Sequence, residues 1–330
     1  MGLKFMTLFD LAEYDQRTIA CDKHLKEISS VADAVVVSVS SGKTSTYLAL
    51  NKDPEDKRPY YYQFAVVLTS DLNARPKDKG LLRECQKRIP WFEASHEVDD
   101  SLKVILQLEQ ELGQEVRWVA SPMTFEELIV AKGQLPNRSR RLCTQYLKYE
   151  PQFWDTYLNL GEGLAVQNNS FIPNPLSIEV QIGYRWDERQ RVYRALGLEA
   201  NSSDCDAFEF AYCCDLDGQF TGKHRWRKVD WRIRTFPLYS RRITTENVWK
   251  YWEYRGWNYK FPKISNCVLC FHKTKEELQC QSALYPERVP NWMAQEAKTG
   301  HTFNKTASLQ EIIFEGASAE SDSMPCSCTD

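Results

Sequence analysis

Val35-Val-Val-Ser-Val-Ser-Ser-Gly-Lys-Thr-Ser-Thr-Tyr-Leu-Ala49 decides how the rest of the chain is read. The β-branched run Val35 to Val39 has the composition of a strand buried on both faces. Ser40 to Ser45 has that of a tight polar turn, and Thr46 to Leu50 opens a helix. Strand, turn and helix in that order make a phosphate site. Gly42 lets the backbone approach an anion, the amides of the first helical turn point at it, and the hydroxyls of Ser40, Ser41, Thr44 and Ser45 add donors around Lys43. A plain serine-rich turn has the same composition, so the loop needs support from elsewhere in the chain.

Two familiar phosphate loops do not fit. A Walker loop requires a glycine five residues before the Gly-Lys pair, where Val37 stands, and a dinucleotide fingerprint requires three spaced glycines where there is only Gly42. Ser40-Ser-Gly-Lys-Thr-Ser45 instead resembles the Ser-Gly-Gly-x-Asp-Ser loop of the PP-loop ATP pyrophosphatases, with Ser41 replacing the first glycine and Thr44 the aspartate.

The 330 residues, 42% hydrophobic and 12% aromatic, suffice for one large α/β domain with additions, or for two domains. A net charge of -3 gives no global basic field, so contact with nucleic acid requires a local patch. With no run of about 18 apolar residues and no signal-peptide pattern, the sequence reads as cytoplasmic with no membrane partner. Eleven cysteines in a reducing compartment are then thiols for metal, redox chemistry or burial rather than disulfides.

Along the chain, residues 8 to 28 suggest an amphipathic helix, and Phe64 to Thr69 a second buried strand ending at Asp71. Helices are expected at 76–89 and 101–112, followed by a strand at 116–119. Thr124-Phe-Glu-Glu127 is a capping box that starts a helix to Lys132. Ligands in parallel sheets sit beyond the carboxyl ends of the strands, which places Asp71 near the site.

Arg138 to Lys148 gathers positive side chains around Cys143, a setting expected to lower that thiol's pKa and to hold phosphate or sulfate. Arg141-Leu-Cys-Thr-x-x-Leu-Lys-x-x-Pro151 resembles the basic cysteine segment of phosphoadenosine phosphosulfate reductase-like proteins, a branch of the PP-loop superfamily. Gly183-Tyr-Arg-Trp-Asp-Glu-Arg-Gln-Arg191 is similar to an Ile-Gly-x-Arg-x-Asp-Glu signature of the same family. Its matching positions include Arg185 and Asp187.

Lys223 to Arg234 interleaves cations with tryptophans along a strand-like stretch, making Arg225, Arg227, Lys228 and Arg232 candidate nucleic-acid contacts. A helix is expected from Thr244 to Gly256 with Trp249 and Trp252 facing the core. Cys267-Val-Leu-Cys270 follows, and Thr274-Lys-Glu-Glu277 is a second capping box. CxxC spacing lets two thiolates converge on a metal. Taken alone, it leaves metal, redox pair and coincidence open.

In iron–sulfur members of the resembled family a segment like Arg141 to Pro151 joins a distant CxxC. The resemblance therefore implies Cys143, Cys267 and Cys270 as ligands of a 4Fe-4S cluster, with zinc as the alternative. The family's adjacent cysteine is missing here. Cys280, a tail cysteine or an open iron position remain as the fourth. The tail carries Cys326-Ser-Cys328, and Cys326 is a candidate nucleophile, although the family's Glu-Cys-Gly-x-His context is absent.

The expected fold is α/β, a mostly parallel twisted sheet with helices on both faces. Its expected parts are an N-terminal helix (1–30), a nucleotide-binding domain (31–236), a helical extension with the CxxC (237–315) and a cysteine-bearing tail (316–330). The resemblance implies an adenosine nucleotide held by Ser40 to Ser45 with Asp71 and Arg141 nearby, and catalysis through Lys43, Arg185, Asp187 and Cys326. The preferred chemistry is ATP with Mg²⁺ forming AMP and pyrophosphate, coupled to sulfur transfer. A nucleic-acid acceptor and a sulfur-donor or thiol-reductant protein are the partners it leaves open. Reduction of adenylyl sulfate or phosphoadenylyl sulfate (APS or PAPS) to release sulfite is the second chemistry. A module that only senses nucleotide or binds nucleic acid is the third reading.

Overall fold

A computed structural model describes residues 18–23, 25, 32–138, 140–159, 164–167, 170–173, 178–197, 208–214, 220–229, 232–263 and 267–314, with backbone alone at 157–159, 164–167, 170–173, 208–214 and 220–229. Its centre is a five-stranded sheet in which every pairing is parallel. The strands are β1 (Ala34–Val39), β2 (Tyr60–Val66), β3 (Val116–Ala120), β6 (Ile178–Gln181) and β9 (Ile233–Thr235), in spatial order β3-β2-β1-β6-β9. Two separate antiparallel hairpins, β4 (Leu164–Gln167) with β5 (Ser170–Pro173) and β7 (Phe208–Cys214) with β8 (Phe220–Val229), complete the strands.

The Val35 to Val39 run explains the position of β1 at the middle. Alternate side chains serve opposite layers: Val35, Val37 and Val39 join one core, and Val36 joins the other. The first layer packs α1 (Lys43–Leu50), α2 (Lys79–Arg88), α3 (Asp99–Leu112) and α8 (Thr245–Tyr254) against β1 and β2, with Leu48, Leu81, Ile105 and Trp252 buried. The second brings α5 (Glu150–Asn159), α6 (Arg189–Ala195) and the short α7 (Pro237–Ser240) to β6 through Phe153, Tyr193 and Tyr239. Cys21 of the helical segment 18–23 is buried there as well. The expected α/β sheet with helices on both faces is thus the architecture observed.

A third core lies past the carboxyl edge of the sheet. There α4 (Phe125–Lys132), the CxxC loop, α9 (Lys275–Leu284), α10 (Val289–Thr299) and α11 (Leu309–Phe314) pack around Phe125, Leu147, Val268 and Trp292. Both capping boxes form: Thr124 accepts the Glu127 amide and Thr274 the Glu277 amide, and each glutamate reaches back. No helix among the described residues is long and apolar enough to cross a membrane.

Two local expectations change, and one feature is new. Lys223 to Arg234 is not one strand: β8 ends at Val229, and Ile233–Thr235 belongs to the main sheet beside β6. Trp249 is 40% exposed, while Trp252 on the next helical turn is fully buried. Thr144–Tyr149 is a single π-helical turn running straight into α5, a feature with no signature in the sequence.

Candidate functional site

β1 has β2 on one side and β6 on the other, so the sheet order reverses at its carboxyl end, the position where parallel sheets bind ligands. The turn Ser40 to Gly42 lies there. The Ser45 hydroxyl accepts the Ser40 amide at 2.9 Å and lies 2.8 Å from the Ser40 carbonyl, to which it donates. Thr46 donates its hydroxyl to the Gly42 carbonyl at 3.0 Å. Gly42 caps α1 without a side-chain hydrogen bond, which leaves first-turn amides available to an anion. The Ser41 hydroxyl is buried with no hydrogen-bond partner among the described residues.

Gly183, just after β6, packs on this loop. A Cβ there would meet Thr44 Cγ2 at 3.5 Å and the Ser45 backbone at 3.6 Å. Arg185 follows, nearly buried, donating to the Thr44 hydroxyl and pairing with Glu188 at 3.1 Å. It braces the loop from behind. Asp187 accepts the backbone amide of Thr245 at 3.3 Å and its hydroxyl as well, fastening the start of α8. Asp71 caps the 3-10 turn Leu72–Ala74 by accepting the Asn73 amide. Neither aspartate lines the cleft.

Lys43 begins α1 but turns away from the cleft. Its ammonium sits 4.8 Å from the ring centroid of Trp249, with Trp257 at 5.9 Å and Phe261 at 5.6 Å. The residues facing the loop across the cleft are others. An open cleft of about 680 Å³, counting the solvent at its mouth, is lined by Ser40, Ser41 and Ser45 and, across from them, by Glu97, Lys148, Tyr149, Gln152 and Arg232. Arg232 is 8% exposed and its guanidinium lies 4.5 Å from the Tyr149 ring. Expected as a nucleic-acid contact, Arg232 leads into β9 beside β6 and lines this cleft.

Behind Lys148 stand the cysteines. Cys143, Cys267 and Cys270 act electrostatically on one another and on Lys148. The Cys267 thiol also donates to Glu97 Oε1 at 3.8 Å. The tertiary fold thus brings Cys143 to the Cys267 and Cys270 pair, more than a hundred residues later in the chain. The expected lowering of the Cys143 pKa is not found: burial pushes that thiol up to about 11, and Cys270 adds to it, against Lys148 and Arg141. Burial likewise raises Cys267. Burial disfavours the Lys148 ammonium, yet Cys267, Glu97, Cys143 and Cys270 together hold its pKa above the ordinary lysine value.

Cys143 and Cys267, both raised by burial, thus lie beside the Lys148 and Glu97 side chains. Among the described residues, no three His, Cys, Asp or Glu side chains converge on one ion position.

Of the remaining candidates, Cys280 lies half-buried on α9 and is not among the groups acting most strongly on Cys143 or Cys267. Arg141 is exposed at the edge of the thiol group and does not line the cleft. The side chains of Arg225, Arg227 and Lys228, and all of Cys326, lie outside the described residues. Sequence reading missed Glu97, Tyr149 and Gln152 as cleft residues. Lys148 did carry a signal, since it belongs to the Arg141 to Pro151 motif. Glu97 carried none, lying between two helices in a mixed stretch without periodicity.

No family model matches the chain, and no curated protein matches it. A solved structure, the NH3-dependent NAD synthetase from Campylobacter jejuni in complex with the nitrate ion, is similar over 94% of this chain and 99% of that one, at 12% sequence identity. The TM-score is 0.33.

Proposed function

We propose that the chain is a PP-loop enzyme that binds ATP with its phosphates on Ser40 to Ser45, transfers AMP to an acceptor with release of pyrophosphate, and supports displacement of that AMP by a sulfur nucleophile. One observation carries this reading. The cleft has a serine loop and helix N-terminus on one wall, and on the other the Lys148 and Glu97 side chains that touch or face the three thiols. Nucleotide activation and sulfur handling are thus adjacent.

In this reading the α1 amides and the Ser41 hydroxyl hold the departing phosphates, while Lys148 and Arg232 stabilise charge developing on the transferring group. Arg185 acts through Thr44 as a positioning residue. Mg²⁺, when bound, neutralises charge across the phosphates. Cys143, Cys267 and Cys270, which act on Lys148 behind the cleft, are the thiols available to carry the sulfur nucleophile.

The test combines calorimetry with ATP and a non-hydrolysable analogue with detection of AMP and pyrophosphate. Turnover is followed with Mg²⁺, a persulfide donor and candidate acceptors that include RNA and DNA oligonucleotides. Saturable ATP binding and acceptor-dependent pyrophosphate release are expected. Absence of ATP binding would sink the reading. Binding that never leads to turnover would leave a nucleotide sensor, and sulfite release from APS or PAPS would identify a reductase.

A further inference from the structure

Arg141 stands at the edge of the thiol group, and folding adds Arg191 and Lys273 to the positive charge of its own segment. The main charges acting on the His272 imidazole are those of Arg141, Arg138, Arg191 and Lys273, drawn from three parts of the chain. Arg138 is fastened there by donating to the carbonyls of Phe271, His272 and Lys273 at 3.4, 3.3 and 3.2 Å. Arg191 comes from α6, with its guanidinium 4.1 Å from the Tyr184 ring centroid and paired with Glu188 at 2.8 Å. Lys273 is buried and donates to the Cys267 carbonyl at 2.9 Å, so it adds field rather than a surface contact.

Gathering like charges costs the folded chain stability, and with a net charge of -3 nothing in the composition forces it. An anionic ligand offsets that cost. The same place holds a polar atom in need of a partner: His272 Nε2 is buried with no hydrogen-bond partner among the described residues. None of Arg138, Arg141, Arg191, His272 and Lys273 lines the cleft, so a nucleotide seated there leaves this group for a second anion. Arg138 and Arg141 are exposed, and Arg141 also acts on Cys143, so that anion lies open to solvent on one side and next to a thiol on the other. Arginines from separate segments, set beside a tyrosine and an imidazole, suit successive phosphates of a strand rather than one small ion.

We infer that the acceptor is a nucleic-acid strand whose phosphodiester backbone lies on Arg138, Arg141 and Arg191, with His272 Nε2 meeting a phosphate oxygen, and which so passes the thiols beside the cleft. The inference rests on the proposed function for the activation such a strand would receive; its binding is measured independently. The experiment is fluorescence anisotropy of labelled RNA and DNA oligonucleotides, single-stranded and duplex, titrated with the full chain over a series of salt concentrations. Wild type is compared with Arg141→Gln, Arg191→Gln and Lys57→Gln, the last an exposed lysine just before β2 at the opposite edge of the sheet. Circular dichroism checks folding.

Wild type should bind RNA or DNA saturably, with or without saturating ATP; either nucleic acid supports the inference and names the acceptor. Arg141→Gln and Arg191→Gln should each bind about tenfold more weakly. Each should also make the salt dependence shallower, by about 0.7 in slope on a single strand or about 0.9 on a duplex. Lys57→Gln should match wild type. Failure of wild type to bind any oligonucleotide, equal affinity in Arg141→Gln and Lys57→Gln, or displacement of the strand by ATP would overturn the inference. So would Arg141-dependent binding of inorganic phosphate or APS by a chain that binds no oligonucleotide. ATP calorimetry on the same wild-type sample separates the two failures. A chain that binds ATP but no strand loses this inference and keeps its nucleotide reading, while Arg141-dependent strand binding without ATP binding does the reverse.

Discussion

Ser45 holds the phosphate loop shut through a single hydroxyl that accepts the Ser40 amide and reaches the Ser40 and Gly42 carbonyls. Ser45→Ala opens that turn. The expected result is a loss of about 1 kcal/mol of stability from the missing hydrogen bonds and about tenfold weaker ATP binding, read by urea denaturation and calorimetry. Lys43 gives the opposite pattern. Its ammonium rests on Trp249 and neighbouring rings rather than in the cleft, so Lys43→Met should cost about 1 kcal/mol of stability. ATP affinity should stay within about threefold of wild type; a much larger loss of affinity would mean that the ammonium swings to the phosphates. The loop serines were legible because their donors lie within five residues of each other. The direction of Lys43 was not, because it is set by aromatic residues some two hundred positions later in the chain.

Helix ends repeat this division between near and far. The Thr124 and Thr274 capping boxes form as their sequences imply, since the whole signal lies within one turn. Thr274 starts α9 just after the CxxC loop, and Thr274→Ala should lower stability by about 1 kcal/mol in chemical denaturation. The π-helical turn at Thr144–Tyr149 is an element of another kind. Its backbone lies between Cys143, which belongs with the thiols, and Gln152, which lines the cleft. Residues 141–150 contain no local pattern for it. The strand-like reading of Lys223 to Arg234 failed for a related reason. Alternation cannot say where one strand ends and another sheet begins, and Ile233 to Thr235 belong to the second.

At the scale of the whole molecule, the connection before β2 is tied to the sheet by Arg58, which pairs with Asp56 at 2.6 Å and with Glu179 of β6 at 2.8 Å. Hydrogen bonds from Arg58 and Tyr60 hold the Asp56 carboxyl down to about 2. Because this pKa is depressed on folding, its stabilising effect is complete above the ordinary carboxylate pKa and is lost as pH falls through about 2. Asp56→Asn should therefore be less stable than wild type by about 1 kcal/mol at about pH 7, and the gap should close as the two approach about pH 2 in parallel urea titrations. A gap that persisted at the acid end would show that Asp56 acts through packing instead of charge. The sequence by itself determined the α/β class, the strand–turn–helix unit of β1 and α1 and the capped helices, because composition, periodicity and capping act over a few residues. Only the tertiary structure decided that the sheet order reverses beside that loop, that Lys43 leaves the cleft while Arg232 enters it, and that Glu97 and Lys148 meet the thiols. Those outcomes depend on burial and charge between groups that the chain brings together only when the sheet and its three cores are complete.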